Sequence, residues 1–211
     1  MAAIYLQTEA IPDQQAYPWC LRSLKKYASE HGGKYLGISV NNKRAHLILG
    51  TNVTPLTTPT GVKKIEGQNG TWHNLSVALP PVTLAGLDFV DSAILGTLAK
   101  SSETLFGMEM TIAQLLKAKY YIPLVYRKED SDLEPLFSGK VTEECTIVDK
   151  DNQPLPKDAT INPGSKIRVV VAISSLFFKS DNQCRLTTKV ARIQLLEEGE
   201  PEADVDSFMF D

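Results

Sequence analysis

The feature that most constrains the fold is a pair of long segments with β-strand alternation in the last third of the chain. In residues 166–173 every second residue is a branched aliphatic, and a period of two places successive side chains on opposite faces of a strand. Residues 185–196 are the predicted partner strand, but their apolar parity changes near Ala191, which predicts a β-bulge there. The residues predicted to face the core in the first strand are Ile167, Val169, Val171 and Ile173.

Shorter strand patterns occupy much of the remaining chain. Asn41-Asn42-Lys43-Arg44 separates two of them and predicts a hairpin with two basic residues at its tip. Pro123 favours an edge or bulge position for the strand that contains it. Residues 51–70, with two prolines and three glycines, are predicted to form a long loop or an extended arm. The predicted strands span residues 34–40, 45–50, 71–79, 120–127 and 137–148.

Two stretches have helical rather than strand spacing. The first is residues 17–31, which begin with a proline in the first turn and are followed by two glycines. The second is residues 84–119, where Asp88 is a candidate cap of one helix and residues 108–119 are a second. We interpret the second stretch as an insertion that covers a barrel opening. Short strands with one helical insertion favour a mainly β fold, an OB-like Greek key barrel, over a βαβ fold.

The charge of the chain is divided unevenly between a body, residues 1–196, and a tail, residues 197–211. The formal net charge is -3, yet the tail holds seven of the 25 acidic residues and none of the 22 basic ones, so the body has an excess of four basic residues. A basic body with a separate acidic tail is compatible with a nucleic-acid partner. We therefore predict one OB-like domain over the body and a disordered acidic tail.

Basic residues repeatedly stand beside aromatic ones in the predicted strands. Proteins hold single-stranded DNA with Lys and Arg along the phosphates and with rings that stack on bases, without sequence-specific hydrogen bonds. Between Lys166 and Arg192 there are six basic residues and one acidic residue. The predicted DNA-binding residues are Lys34, Tyr35, Lys43, Arg44, Trp72, Tyr120, Tyr126, Arg127, Lys166, Arg168, Phe178, Lys179, Arg185, Lys189 and Arg192.

The acidic tail contains Phe208-Met209-Phe210. Acidic residues alone would only keep such a tail solvated, whereas aromatic rings have no structural role in it. The pattern predicts a docking peptide, in which the acids compete for the basic DNA groove and the rings bind in a partner's pocket. The predicted partner-binding residues are Asp204, Asp206, Phe208, Phe210 and Asp211.

Sequence motifs for catalysis are missing. The chain has no P-loop, dinucleotide-binding, nucleophile-elbow or zinc-protease pattern. Asp130, Asp132 and Glu134 could hold a divalent metal in a nuclease, although a solvated polar loop is favoured. Three cysteines and three histidines are scattered without ligand spacing, which predicts reduced thiols and no zinc site. We predict a protein that is not an enzyme and has no catalytic residue, metal or cofactor.

Residues 149–197 and the tail resemble the single-stranded DNA-binding proteins of tailed phages and related large DNA viruses. The matching features are Gly164-Ser165-Lys166 before an alternating strand, Phe177-Phe178-Lys179 at its end, and a last strand that ends at residues 192–197. The resemblance implies an OB fold and binding of single strands in viral DNA replication, recombination and repair. It further implies that the tail contacts replicative polymerase, helicase–primase or recombination proteins. Some members of the family form homodimers.

The chain departs from that family in a shorter tail and in the helical insertion, which does not align. An alternative interpretation is a viral structural or adaptor β-barrel that binds no nucleic acid. No apolar run in the sequence approaches the roughly 18–20 residues that cross a bilayer, and the first residues lack a secretory signal pattern. We therefore predict a cytoplasmic protein, in the host cytoplasm if a phage encodes it, without a membrane partner.

Overall fold

The computed structural model describes residues 3–8, 19–26, 34–67, 70–127, 134–156, 159–179 and 183–200. Residues 201–211 lie outside the described residues, so the partner-binding residues and the disorder predicted there are not tested. The same is true of Asp130 and Asp132. The strands are β1 Ala3–Gln7, β2 Trp19–Lys26, β3 Lys34–Val40, β4 Arg44–Leu49, β5 Leu56–Thr57, β6 Val62–Gly67, β7 Gly70–Ala78, β8 Tyr121–Ile122, β9 Val125–Tyr126, β10 Leu136–Val148, β11 Lys166–Phe178 and β12 Cys184–Glu197. The helices are α1 Pro81–Lys100, α2 Ser102–Phe106 and α3 Ile112–Lys117.

Five of these strands close into a barrel. Going around it, β5 pairs with β7, β7 with β10, β10 with β12, β12 with β11, and β11 again with β5. The β10–β12 pair is parallel and the others are antiparallel. This is the order of a five-stranded Greek key barrel of the OB type, in which β7 and β10 are the second and third strands. The predicted mainly β, OB-like fold is confirmed.

The first barrel strand is built from three pieces that lie one after another along β11. β3 pairs with the end of β11, β4 with its middle and β5 with its start. The turn between β3 and β4 has Asn41 and Asn42 at positive φ, 47° and 60°, as a type I′ turn requires. The two predicted strands and the turn between them are present, but the predicted hairpin is wrong. Both strands run in the same direction, antiparallel to β11, and across the turn only Val40 and Lys43 pair.

The predicted bulge near Ala191 is confirmed. Val170 pairs with Arg192 and Val171 with Val190, so Ala191 is the extra residue. The bulge changes the parity of β12 and lets both Val190 and Ile193 point into the core, where neither is exposed. The four core residues predicted for β11 are all buried.

The predicted helix over residues 17–31 is wrong where the structure describes it. Residues 19–26 form a strand, β2, antiparallel to β3, and the remainder of the predicted 17–31 helix lies outside the described residues. Helical spacing of a few apolar residues is a weak signal, and an open strand edge beside the segment outweighs it. Within the predicted 51–70 loop, β6 pairs with β7 from Val62 opposite Leu75 to Gly67 opposite Gly70. The extended arm is therefore half of a hairpin.

The helical insertion is confirmed, with changed boundaries. α1 starts at Pro81, so Asp88 lies inside it and does not cap it. The second predicted helix is α3, which begins after a capping box of Thr111 and Gln114. Gly86 is required by packing, because a side chain there would collide with the backbone of Thr8 beyond β1.

Helix α1 is long and apolar enough, by length and composition, to cross a membrane, with a mean hydropathy of 1.5 in its most apolar window. This corrects the expectation that no such run exists. Its Leu87, Val90, Ile94 and Leu98 are fully buried in the same core as the barrel residues, which is the packing of a core helix.

Candidate nucleic-acid interface

A row of polar side chains crosses the outer wall of the barrel on four adjacent strands. Strand pairing places Lys63 opposite Asn74, Asn74 opposite Lys140, and Lys140 opposite Lys189. All four lie on the outer face, because their strand neighbours such as Leu75 and Val190 point into the core. We call Lys63, Asn74, Lys140 and Lys189 the lysine row.

Lys140 and Lys189 are neighbours of like charge on a parallel strand pair. Both are exposed, and within the described part of the chain neither has an acidic partner within 4 Å. Like charges on adjacent strands disfavour folding, since nothing in the pair compensates their repulsion. Their juxtaposition creates a positive site at the centre of the wall, suited to an anion that is shared by both ammonium groups.

Aromatic residues flank the lysine row on its β7 and β9 sides. Trp72 is half-buried on the same outer face as Asn74, beside Ile65 of β6. Tyr126 of β9 pairs with Leu136 of β10, and 64% of its surface is exposed. Both rings therefore border the strand that carries Lys140. Their contact with DNA stays a prediction.

A second aromatic cluster lies at the tip of β11 and β12. The rings of Tyr35 and Phe177 are tilted by 45° with centroids 4.9 Å apart, and Phe177 pairs with Arg185 across β12. Lys34 and Lys179 are exposed next to them. The next residues toward the lysine row are small, so the outer wall between the cluster and Lys189 is shallow. These small residues are Gly37, Ser175 and Thr187.

Phe178 and Tyr120 are not on this wall. Phe178 is 8% exposed and packs against Phe106 at 6.1 Å, and Tyr120 stacks on the same ring at 5.2 Å with an interplanar angle of 13°. Burial of Phe178 contradicts its predicted stacking role. Ser174 is an extra residue in β11 between the Ile173–Thr188 and Ser175–Thr187 pairs, so beyond it the even-numbered residues of β11 face the core. Phe177, which the sequence analysis missed, takes the outward position.

Three predicted basic residues lie at the opposite end of β11 and β12, half-buried in hydrogen bonds. Lys166 Nζ donates to Thr57 Oγ1 at 2.7 Å. Arg168 donates to Asn52 Oδ1 and to Gln194 Oε1, each at 3.2 Å, and Arg192 donates to Asn152 Oδ1 at 3.0 Å. The basic cluster of residues 166–192 is therefore split, and only Lys179, Arg185 and Lys189 belong to the half near the aromatic rings.

The remaining predicted basic residues are peripheral. Lys43 and Arg44 are exposed at the tip of the β3–β4 turn, and burial together with the charge of Arg44 lowers the pKa of His46. Arg127 forms an ion pair with Asp88 of α1. Lys63 and Lys140 were missed by the sequence analysis. The sequence could have indicated Lys140, because it alternates with Phe137, Gly139 and Val141 and so faces away from them. Lys63 lies in residues 51–70, which were predicted to form a loop or an arm and not a strand of the site.

Nothing among the described residues forms a group of three or more His, Cys, Asp or Glu side chains that could hold a metal. Cys145 and Cys184 are free thiols, and burial raises their pKa values to about 11 and about 12. Thiolates are the reactive form, so both cysteines are poor nucleophiles at neutral pH. The exposed lysines of the wall are chemically suited to an anionic ligand.

Comparison with known proteins finds the same fold in phage proteins. No protein-family model and no curated protein matches the chain. The single-stranded DNA-binding protein from bacteriophage Enc34, in complex with single-stranded DNA, aligns over 86% of this chain and 99% of its own, with 11% identity and a TM-score of 0.51. The gp2.5 single-stranded DNA-binding protein of bacteriophage T7 aligns over 76% and 96%, with 12% identity and a TM-score of 0.50. At such identities the likeness is one of fold.

Proposed function

We propose that this chain binds single-stranded DNA without sequence preference and without catalysis, through the lysine row and the aromatic residues around it. The observation that carries the proposal is the uncompensated pair of Lys140, on the third barrel strand, and Lys189, on the neighbouring strand β12. The pair lies beside the face of the second and third strands, where OB folds bind oligonucleotides. The two phage proteins that share the fold are single-stranded DNA-binding proteins, which supports the same reading.

The wall supplies the two contacts that such binding needs. Phosphates lie against Lys63, Lys140 and Lys189, and binding gains free energy from the counterions that they release. Bases stack on Trp72 and Tyr126 or on the Tyr35–Phe177 cluster, contacts that every base can make. No hydrogen bond to a base edge is required, so the binding is indifferent to sequence.

The dimensions of the wall fit a short stretch of DNA. Lys63 and Lys189 are three strand spacings apart, about 14 Å, and Arg185 is four residues further along β12, about 13 Å. The small side chains between Lys189 and the Tyr35–Phe177 cluster leave room for a strand to pass. A path of this length lies at the short end of the roughly 4–16 nucleotides that one OB fold covers.

We further propose that the acidic tail competes with DNA and recruits replication proteins. Gly199, near the start of the tail, donates its backbone N–H to Ser165 Oγ at 3.0 Å and lies against the backbone of Pro163. The same loop carries Ile161, whose carbonyl accepts from Val62 at the start of β6. These contacts support the proposal, because they hold the start of the tail beside the loop that bonds to β6, the strand that bears Lys63. Its partners are replicative polymerase, helicase–primase or recombination proteins.

In this proposal the protein coats exposed strands during phage DNA replication, recombination and repair in the host cytoplasm. Coating prevents hairpins, and the tail of each bound copy presents Phe208 and Phe210 to the enzymes that work on the strand. Asp204, Asp206 and Asp211 add the negative charge that lets the tail occupy the site when DNA is absent.

The proposal is tested by mobility shift of a labelled single-stranded oligonucleotide. We expect the wild-type chain to shift it, with a weaker effect on duplex DNA, and the Lys140→Glu, Lys189→Glu double variant to lose the shift. A Lys166→Glu, Arg192→Glu double variant changes the charge by the same four units on β11 and β12, away from the lysine row. It is the matched control and keeps the shift. A wild-type chain that leaves the oligonucleotide unshifted at low salt would overturn the proposal in favour of an adaptor barrel.

A further inference from the structure

The rings of Tyr5 and His46 lie together on the outer face of the sheet. Tyr5 of β1 pairs with His46 of β4, and the two ring centroids are 4.9 Å apart with an interplanar angle of 53°. Tyr5 is 59% exposed, whereas Leu6, the next residue of β1, is buried, so the Tyr5 ring projects outward. An exposed ring that rests on a second ring is a surface on which an unpaired base can stack. We call Tyr5 and His46 the β1–β4 ring pair.

Strand register joins the β1–β4 ring pair to the lysine row. His46 pairs with Ala172 of β11, and Ala172 pairs with Lys189 of β12. The three residues share the outer face, because Val171 and Ile173 on either side of Ala172 are buried. His46 is therefore two strand spacings, about 10 Å, from Lys189 along the wall. The short side chain of Ala172 lies between them, so a DNA strand can pass from Lys189 to the ring pair.

Arg44 adds a positive charge beside the β1–β4 ring pair. It lies two residues before His46 on β4 and on the same face, it is exposed, and it pairs with Ala3 of β1. Within the part of the chain that the structure describes, Arg44 has no acidic partner within 4 Å. Burial, followed by the charge of Arg44, lowers the pKa of His46, so the histidine is uncharged at neutral pH. The ring pair is therefore a neutral stacking surface next to one exposed guanidinium.

We propose that the β1–β4 ring pair and Arg44 form a second subsite for single-stranded DNA, in which a base stacks on Tyr5 and an adjoining phosphate binds Arg44. This subsite rests on the function proposed above, since a bound strand reaches it from Lys189. It lies on β1 and β4, outside the second and third barrel strands that form the usual OB binding face. The DNA path is thus extended around the barrel by three strand spacings beyond Lys189, about 14 Å.

Titration of labelled strands of two lengths tests the stacking contact. A strand of about 4 nucleotides binds at the lysine row, whereas one of about 12 also reaches Tyr5. We expect Tyr5→Ala to weaken binding of the longer strand by at least about fivefold, the equivalent of about 1 kcal/mol for one stacked base. Binding of the shorter strand is unchanged, which excludes an effect through the fold. Tyr5→Phe keeps the ring and therefore the wild-type affinity for both strands.

Salt dependence tests the phosphate contact. Arg44→Gln reduces the slope of log affinity against log salt concentration by about 0.7 for the longer strand, because one phosphate contact is lost. Tyr5→Ala leaves this slope unchanged, since a stacked base releases no counterions. Leu116→Ala is the matched control, because Leu116 is an exposed apolar residue of α3, which packs against α1 and β8. It changes neither the slope nor the affinity.

The outcomes separate this subsite from the proposed function. If the wild-type chain binds the longer strand and Tyr5→Ala binds it equally well, the subsite is overturned while the lysine row stands. Equal weakening of both strand lengths by Tyr5→Ala, or an unchanged salt slope in Arg44→Gln, would also overturn the subsite. A wild-type chain that binds neither strand would overturn the proposed function and the subsite with it.

Discussion

At the scale of single residues, the proposed DNA binding and the folding of the chain make opposite demands on the outer wall. Lys140 and Lys189 are adjacent and of like charge, an arrangement that costs stability and is useful only to a ligand that brings negative charge. Functional sites in proteins commonly retain such unfavourable groups because activity requires them. Trp72, two residues before Asn74 on the same outer face, is half-buried.

Lys189→Gln should therefore stabilise the fold while it weakens binding. Relief of the repulsion with Lys140 is worth about 0.2–1 kcal/mol in the free energy of unfolding. Urea denaturation measures that gain, and anisotropy of a labelled oligonucleotide measures the accompanying loss of affinity. Lys150→Gln, an exposed substitution in a turn outside the wall, is the control and changes neither quantity. If Lys189→Gln lowered stability, the repulsion argument would be wrong.

Phe177 and Phe178 should separate the two roles in the same way. Phe178 is in the core, so Phe178→Ala costs about 3–5 kcal/mol of stability. Phe177→Ala costs less stability, because Phe177 is half-buried, and it removes a stacking contact worth about 1–3 kcal/mol of DNA binding. Thermal melts and oligonucleotide titrations of the two variants distinguish them. If the two variants weakened DNA binding equally under conditions in which both are fully folded, Phe177 would not be the outward ring that stacks on DNA.

At the scale of elements, α1 holds the β8–β9 segment against the barrel. Asp91, on the buried side of α1, accepts hydrogen bonds from the Tyr121 hydroxyl and from the backbone N–H of Leu124. Asp88, one turn earlier, pairs with Arg127 just after β9. Tyr126 is thereby fixed on the outer wall, so the helical insertion contributes indirectly to the proposed site.

Asp91 should give stability a particular pH dependence. Burial raises the pKa of its carboxyl from 3.8 to about 6, so between these values the folded state binds more protons than the unfolded state. The free energy of unfolding therefore falls as pH rises through this window, by up to about 3 kcal/mol from this group. Urea titrations from pH 4 to pH 7 should show that Asp91→Asn removes this slope. Asp88→Asn should keep most of it, because burial raises the pKa of Asp91 more than the charge of Asp88 does. A wild-type slope in Asp91→Asn would contradict the prediction.

The sequence predicted those elements whose signal is purely local. The alternation of β11, the bulge at Ala191 and the Asn41-Asn42 turn follow from residue order, and the structure has all three. β2 could not be predicted, because its strand conformation depends on the open edge of β3. The bulge at Ser174 does not show in the pattern of apolar residues. The sequence therefore predicted Phe178, and not Phe177, as the outward ring of β11.

At the scale of the whole molecule, the division of charge between body and tail was visible in the sequence, but the location of the site was not. The density of basic residues along the chain favoured residues 166–192. Three of the six basic side chains in that range form hydrogen bonds at the far end of the barrel. The lysine row is made by strand register, which brings Lys63, Lys140 and Lys189 together from three distant parts of the chain. Register is a tertiary property that single-sequence patterns do not contain.

Removal of residues 201–211 should raise the affinity for single-stranded DNA. These residues carry four acidic groups and no basic one, so the formal net charge changes from -3 to +1. The described barrel, including the Gly199 anchor, stays intact in this variant. Oligonucleotide titration at low salt should show tighter binding, and the difference should shrink as salt screens the tail. Unchanged or weaker binding would exclude competition between tail and DNA.

The most direct test of the lysine row is the salt dependence of binding to a single-stranded oligonucleotide. Each lysine that neutralises a phosphate contributes about 0.7 to the slope of log affinity against log salt concentration. Lys140→Gln with Lys189→Gln should reduce that slope by about 1.4, while Lys166→Gln with Arg192→Gln should leave it at the wild-type value. An unchanged slope in the Lys140→Gln, Lys189→Gln variant would contradict binding at the lysine row. A reduced slope in the Lys166→Gln, Arg192→Gln variant would contradict it as well.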